Sequence, residues 1–430
     1  MEQVKNSSGF IYKAYFFLTL FTYTEGFGLR ADGAWGGLGN ASVGPFGMLQ
    51  LLLIGLSAYF MITSGKQVFC KGQTSSTAVK LFLFLFIVII IQLFFQSLGD
   101  LEKLVKYNNL IKLKHWILLF SIPVLYNKLS LNSIINILKL SGLLSAIVVL
   151  YVITNNVGNT AIIIHIGGTA THAFRVIIPT SSIITLAFCL YLASYKNTKS
   201  TVDIVGAMIC FLATFIQLHR SSTLALILML VLFLLVEYKF SPGKMVVILV
   251  GGLVLLSVLF NAVGYSFEML EEVFTASRDA ISEGEDAGTS MRFGMIWNGI
   301  TYVISNYIIL GIGLDWDPLT DTEMYNFLQF ARTPTGDNGY YNIIIVFGLL
   351  GIALFLYMLF ILVLSAYKSK RLSLNNIRLN ILCTAVLYFF IYNAIVAMGG
   401  DRFFRDAIFP VVIGIILMNE KMIRNTTLKI

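Results

Sequence analysis

The stretch from 340 to 366, YYNIIIVFGLLGIALFLYMLFILVLSA, decides the fold, because it is a continuous apolar run without a charged side chain. A helical run of about 20 residues, rising 1.5 Å per residue, crosses the roughly 30 Å hydrocarbon core of a bilayer. Similar runs recur along the chain, which is 57% hydrophobic and only 12% charged. A soluble protein of this composition could not cover its surface with polar groups. We therefore predict a helical integral membrane protein, since lipid cannot satisfy exposed backbone groups.

Hydropathy predicts an all-α fold of about twelve transmembrane helices in a single polytopic domain that covers residues 1–430. The predicted spans lie near 11–28, 44–64, 78–98, 115–128, 132–154, 174–194, 202–219, 221–238, 244–264, 340–366, 377–398 and 403–419. No small-residue cleavage site follows the first run, so we interpret it as a retained span. The four cysteines are scattered without CxxC spacing, which argues against disulfide or metal roles.

The distribution of charged residues predicts which side of the membrane each loop faces. With both termini in the cytoplasm, most lysines fall in inner loops, as the positive-inside rule requires. One short outer loop, with lysines between 103 and 114, goes against this bias. The long loop 265–339 carries twelve acidic and three basic residues, and we place it outside the membrane. Its apolar residues between 290 and 310 have helical spacing, which predicts short amphipathic helices on the membrane surface. Basic loops explain the net charge of +8 without a nucleic-acid partner.

Arginines have the opposite distribution from lysines. Most of them fall on the predicted outer side: Arg30, Arg175, Arg220, Arg278, Arg292, Arg332, Arg402 and Arg405. A topology signal has no reason to distinguish the two residue types, whereas the guanidinium fork binds phosphate oxygens bidentately. Chance, together with ion pairs to the acidic loop, is the alternative explanation.

Arg220 is the strongest single candidate. It sits in a short polar break between two apolar runs, so a tight outer hairpin would hold its charge at the membrane interface, where a charge is costly without a function. A turn arginine that extends its head group to water is the simpler alternative. Arg402 and Arg405 are three residues apart and share a helix face, although Asp401 and Asp406 could neutralise them.

Asp337 immediately precedes the apolar run that begins at Tyr340. A carboxylate there would be partly desolvated, which raises its pKa and suits it to act as a general base. The sequence Asp-Asn-Gly at 337–339 equally predicts a turn and a helix N-cap. Trp316, between two aspartates, fits either a sugar platform or an ordinary surface loop.

Several of these motifs together resemble the bacterial O-antigen polymerase and O-antigen ligase superfamily. The Arg-x-x-x-Leu motif of the ligase branch is matched at Arg220–Leu224. That branch also has a histidine at the end of the large loop, ten residues before a Gly-x-x-Gly. Here Asp337 takes the histidine position and Gly348-x-x-Gly351 follows after ten residues. The resemblance covers residues 200–360.

Two further features of the loop look like the family. Arg292 stands several residues before Trp297, and Gly-Ile-Gly occupies 311–313. The resemblance implies a multi-pass enzyme of the bacterial inner membrane with its active site facing the periplasm. Its donor and acceptor would both be oligosaccharides linked to undecaprenyl pyrophosphate. The protein would contact the lipid bilayer, and a chain-length regulator could be a further partner.

The resemblance implies roles for named residues. Arg220 and Arg292 would neutralise the leaving pyrophosphate, supported by Arg402 or Arg405, so that no metal or other cofactor is required. Asp337 would remove the proton from the acceptor hydroxyl, and in-line attack would invert the anomeric carbon. The aromatic residues expected near the sugars are Trp297, Trp316, Tyr340 and Tyr341.

Aspartate at position 337 favours a polymerase, because the ligase branch has histidine at this position. A ligase that transfers glycan to lipid A core is the second hypothesis. A flippase or other transporter of polysaccharide precursors is the third, and it predicts charged residues near the middle of the bilayer. Lys139 is the only basic residue clearly inside a predicted span, since the others lie close to span ends.

Overall fold

We describe the fold from a computed structural model. It describes residues 2–23, 42–43, 46–47, parts of 52–62, 74–96, 128–154, 161–166, 169–176, 181–217, 220–241, positions 243, 251 and 297, 299–311, 339–398 and 408–427. The predicted fourth span, most of the second and ninth, and most of the long loop lie outside these residues.

Long helices dominate the described residues. They are α1 (Glu2–Tyr23), α2 (Thr74–Gln96), α3 (Leu131–Thr154), α4 (Ser181–Thr198), α5 (Thr201–Phe215), α6 (Arg220–Glu237), α7 (Gly339–Leu372), α8 (Ile377–Val396) and α9 (Ile408–Thr427). Among the described residues, three helical segments are long and apolar enough to cross a membrane, namely Leu131–Tyr151, Tyr340–Leu372 and Ile377–Val396. The prediction of long apolar helices is thereby confirmed, and the total of twelve spans stays a prediction.

The described residues also contain two antiparallel β-hairpins. They pair β1 (Ser42–Val43) with β2 (Phe46–Gly47), and β3 (Ala161–Ile166) with β4 (Thr169–Val176). The sixth span was predicted to begin at 174, but residues 174–176 belong to β4 and the helix starts at Ser181. The reason is local, since an isoleucine-rich run followed by Gly-Gly is a strong hairpin signal.

Helices α4 and α8 form the centre of the described bundle. Helix α4 packs against α3, α5 and α8, and α8 also packs against α6, α7 and α9. Small residues permit the close contacts. A side chain at Gly142 of α3 would overlap Ala187 of α4, and one at Gly206 of α5 would come within 2.6 Å of the Tyr191 ring.

Glu237 ties four helices together at one end of the bundle. Its buried carboxylate, the last residue of α6, accepts hydrogen bonds from Lys196 of α4 and Lys370 of α7. The Tyr388 hydroxyl of α8 donates a hydrogen bond to Glu237 Oε1 over 3.0 Å. The Lys370 ammonium lies 5.7 Å from the centre of the Tyr388 ring. We call these four residues the Glu237 cluster.

Replacing Glu237 with alanine is expected to lower the stability of the purified protein. The substitution leaves two ammonium groups without their carboxylate, and breaking a buried ion pair costs about 3–5 kcal/mol. The lower end applies because the Lys196 side chain is 30% exposed. A thermal melt in detergent would measure the effect, with Lys368→Ala, an exposed lysine two residues from Lys370, as the control. Equal melting temperatures for Glu237→Ala and the wild type would contradict a stabilising role.

A second buried ion pair involves Lys139, the lysine inside a predicted span. Its ammonium nitrogen lies 2.7 Å from Oδ1 of Asp203 at the start of α5, and the side chains are 13% and 12% exposed. Thr198, the last residue of α4, donates to the other oxygen of Asp203 over 3.0 Å. The pair therefore lies beside the α4–α5 turn, near the end of the bundle rather than at its middle.

Removing either charge alone is expected to destabilise the protein more than removing both. Lys139→Met leaves the Asp203 carboxylate unpaired, and Asp203→Asn leaves the ammonium unpaired, whereas the double variant leaves no charge. The coupling between contacting residues of this kind is about 0.5–3 kcal/mol. Thermal melts of the two single variants and the double variant would measure it. Additive losses would show that the two charges do not stabilise each other.

The Glu237 cluster fixes the direction of three helices. Lys196, Glu237 and Lys370 each lie in the last turn of their helix, so α4, α6 and α7 run the same way and end together. Their first residues, Ser181, Arg220 and Gly339, consequently lie towards the other end of the bundle. We call this second end the Arg220 end.

Candidate functional site

Arg220 is the first residue of α6, as the short polar break in the sequence predicted. Helix α5 ends at Phe215, and Ile216 closes its last turn by a bond to the Leu212 carbonyl over 2.9 Å. The chain therefore reverses within a few residues. Leu224, one turn after Arg220, is 55% exposed and begins an outward-facing stripe on α6.

Helix α7 begins beside the last turn of α8. The Tyr340 hydroxyl donates to the Ala394 carbonyl oxygen over 3.0 Å. The last four carbonyls of a helix lack partners within it, so this bond satisfies one of them. The contact brings the segment that follows Asp337 next to the segment that leads to Arg402.

A sharp break in α7 lies at Gly348, whose φ of 68° and ψ of −164° are not helical. At this break the Leu349 N–H donates to the carbonyl oxygen of Ile308, over 2.9 Å, rather than continuing the helix ladder. Gly311, also at positive φ (69°), lies against the same break. The Gly-x-Gly and Gly-x-x-Gly motifs, about 35 residues apart in the sequence, are thus in direct contact.

Residues 299–306 form a short helix that packs on the first turns of α7. Val303, Tyr341 and Ile345 make a small apolar cluster between the two, and Gly299 lies directly against the Tyr341 hydroxyl. Part of the stretch 290–310 is therefore helical, and its predicted location on the membrane surface stays a prediction. Residues 299–306 of the loop are held against the start of α7.

The four predicted aromatic residues have different surroundings. Trp297 is 71% exposed, whereas Tyr341 is only 4% exposed and packs in the cluster beneath the short helix. Tyr340 is half-buried. Trp316 lies outside the described residues.

Five predicted polar groups cannot be placed by their side chains. Asp337, Arg292, Arg402 and Arg405 lie outside the described residues, and Arg220 is described by its backbone alone. Their neighbours in the chain are placed, however. Asp337 comes two residues before α7, Arg292 comes seven before Gly299, and Arg402 lies between α8 and α9.

The contact of Gly311 with Gly348 was not predicted, although both motifs had been identified separately. The available signal was their composition, since paired glycines in two apolar segments permit backbone atoms to approach closely. The bond from Tyr340 to Ala394 had no signal in the sequence, because it joins residues from different helices.

Comparison with known protein families supports the resemblance. Residues 205–356 match the family model described as O-antigen ligase. This segment includes most of α5, all of α6, the long loop and the break in α7. The chain matches none of the curated proteins with which it was compared. Members of the matched family are glycosyltransferase-like enzymes that act on lipid-linked glycans in membranes. The match shows that residues 205–356 are similar to the O-antigen ligase family, over the same part of the chain that carries the motifs identified in the sequence.

Proposed function

We propose that the chain is an O-antigen polymerase of the bacterial inner membrane. In this reaction a glycan on undecaprenyl pyrophosphate is transferred to the next lipid-linked repeat unit. The observation that supports it most is that the starts of α6 and α7 and the end of α8 lie at the same end of the bundle, away from the Glu237 cluster. The family's arginine motif, the loop end and the last predicted arginines belong to these three segments.

The reaction needs fixed positive charge at the membrane surface. The bond between the anomeric carbon and the pyrophosphate oxygen breaks, and its electron pair leaves with undecaprenyl pyrophosphate. We assign Arg220 and Arg292 to neutralise the developing charge, with Arg402 or Arg405 in support, because preorganised donors stabilise a transition state strongly. These guanidinium groups take the part that a metal ion has in other transferases.

Asp337 is assigned as the general base. It removes the proton from the acceptor hydroxyl while that oxygen attacks the anomeric carbon from the side opposite the pyrophosphate. The new glycosidic bond therefore has inverted configuration. Among the described residues, Trp297, with its exposed ring, is the better aromatic platform for a sugar. We assign Trp316 as a second platform. Tyr341, which is buried, is assigned to the framework.

The exposed face of α6 suits a lipid-linked donor. Leu224, Leu228 and Leu232 are between 39% and 55% exposed and run down the helix below Arg220. A polyprenyl chain lying along this stripe would leave its pyrophosphate at the level of Arg220.

Two alternatives to a polymerase remain. One is an enzyme with a different acceptor, and the other is a transporter. A ligase would use the same arginines and transfer the finished glycan to lipid A core. A transporter would require charges near the middle of the bilayer. Lys139 is paired with Asp203 beside the α4–α5 turn, which argues against a transport role for it.

Deleting the gene in the native host and separating the surface glycan on a gel would test the three functions. We expect lipid core capped by a single repeat unit, which is the defect of a polymerase. Bare core with accumulating lipid-linked polymer would identify a ligase instead. Lipid-linked single repeats retained on the cytoplasmic side would identify a transporter.

A further inference from the structure

Gly311 and Gly348 meet backbone to backbone. A Cβ atom built on Gly311 would lie 2.5 Å from the Gly348 nitrogen and 2.6 Å from the Ile345 carbonyl oxygen. One built on Gly348 would lie 2.7 Å from the Gly311 nitrogen and from the Ile309 carbonyl oxygen. All of these neighbours are backbone atoms, which cannot move aside as a flexible side chain can. Neither position therefore accepts a side chain without displacement of the turn at 307–311.

The break in α7 and the turn at 307–311 depend on each other. Positive φ at Gly348 interrupts the helix ladder, and the Ile308 carbonyl oxygen accepts the hydrogen bond of Leu349 at the interruption. Buried backbone groups need partners, so the break is stable while the turn is docked. The Gly311 N–H in turn donates to the Tyr307 carbonyl oxygen over 2.9 Å, which closes the turn.

A second contact joins the short helix 299–306, which precedes the turn at 307–311, to the first turns of α7. Gly299 lies against the Tyr341 hydroxyl, and Val303 packs on Tyr341 and Ile345. Residues 299–311 of the loop are thus fixed to α7 at two places. In the sequence, Arg292 is seven residues before Gly299 and Asp337 is four residues before Tyr341.

We propose that Gly311 and Gly348 are positioning residues, whose contact holds the short helix 299–306 in register with the start of α7. These are the described elements closest in sequence to Arg292 and Asp337, and the proposal rests on the function proposed above. Arg220 belongs to a different helix, α6, so we expect donor binding at Arg220 to persist when the glycine contact is lost. A displaced loop would consequently slow the chemical step more than it would weaken donor binding, since a misplacement of about 1 Å can cost on the order of 10²-fold in rate.

The test uses the full-length protein in nanodiscs with undecaprenyl-pyrophosphate-linked repeat units. Gly311→Ala and Gly348→Ala are expected to lower kcat on the order of 10²-fold while KM for the donor changes by less than about twofold. Gly9→Ala and Gly251→Ala are the controls, because both positions are helical and have no atom within 4 Å of an added Cβ. Both controls should keep the wild-type kcat.

Gly311→Asn separates the close contact from the backbone angle. Asparagine tolerates positive φ better than alanine but still adds a Cβ. We expect it to be as slow as Gly311→Ala, and recovery of the wild-type kcat would overturn the close-contact account.

A cross-link reports docking without relying on activity. With Val303→Cys and Ile345→Cys introduced together, mild oxidation should join the short helix to α7. Adding Gly348→Ala should slow this cross-link. If Gly348→Ala slows cross-linking and leaves kcat unchanged, positioning is overturned while the polymerase function stands. If the wild-type protein makes no polymer, the proposed function fails and the positioning role fails with it.

Discussion

Replacing Arg220 with alanine is expected to remove long glycan chains from the cell surface. In the proposed mechanism its guanidinium faces the pyrophosphate as that group leaves with the bonding electrons. Loss of one preorganised donor to a developing negative charge costs about 10²–10³-fold in rate. The gel of surface glycan should then show mainly core with a single repeat unit.

Two comparison variants make the Arg220 result specific. Arg220→Lys keeps the charge but loses the planar fork, and we expect activity between those of the alanine variant and the wild type. Arg378→Ala removes an exposed arginine at the other end of the bundle, in the first turn of α8, and should leave a normal ladder. A normal ladder from a well-expressed Arg220→Ala would refute its assignment to the pyrophosphate.

Replacing Asp337 with asparagine is expected to stop polymerisation without unfolding the protein. Asparagine caps a helix about as well as aspartate does, but it cannot accept a proton from the acceptor hydroxyl. General bases contribute about 10²–10⁴-fold to a reaction rate, so the loss should fall in that range. Transfer rates and thermal melts of the purified variant would measure the two effects separately.

Asp337→Ala completes the comparison. If the carboxylate is the base, the asparagine and alanine variants are equally slow. If the carboxylate only caps the start of α7, the asparagine variant is active and the alanine variant is less stable, by about 1 kcal/mol. An active Asp337→Asn would therefore remove Asp337 from the mechanism.

The helices were predictable from the sequence because each one depends mainly on its own composition. The predicted spans 132–154, 202–219, 221–238 and 377–398 agree with α3, α5, α6 and α8 within a few residues. The β3–β4 hairpin was missed because residues 155–173 were assigned to an outer loop and residues 174–176 to the sixth span, although Gly-Gly at 167–168 marks the turn. The end of α9 was also missed, since polar residues extend the helix beyond 419 to Thr427.

The site was predictable to the extent that its motifs are continuous in the chain. Arg220 at the start of α6 follows from a charged break between two apolar runs. The contact of Gly311 with Gly348 could not be predicted in the same way, because it depends on how the loop returns to α7. The burial of Tyr341 also depends on that return, and no local pattern distinguishes it from a tyrosine that faces a sugar.

The ion pairs of the Glu237 cluster also could not be predicted from the sequence. Lys196 and Lys370 were predicted on one side of the membrane from their number and sign. Their common partner Glu237 belongs to a third helix, and nothing in the local sequence pairs the three. Its consequence for function is indirect but definite, since it aligns α6 with α7 and so sets the relative positions of Arg220 and Gly339.

The most direct test of the polymerase assignment uses the purified protein in nanodiscs with a single substrate, the undecaprenyl-pyrophosphate-linked repeat unit. We predict lipid-linked chains of two and more repeats, with one undecaprenyl pyrophosphate released per bond formed, in the presence of a metal chelator as well as in its absence. The same preparation carrying Arg220→Ala should be slower by about 10²–10³-fold. Failure to extend the repeat unit, by a preparation that transfers a preformed lipid-linked chain once lipid A core is added, would contradict the polymerase assignment and establish a ligase.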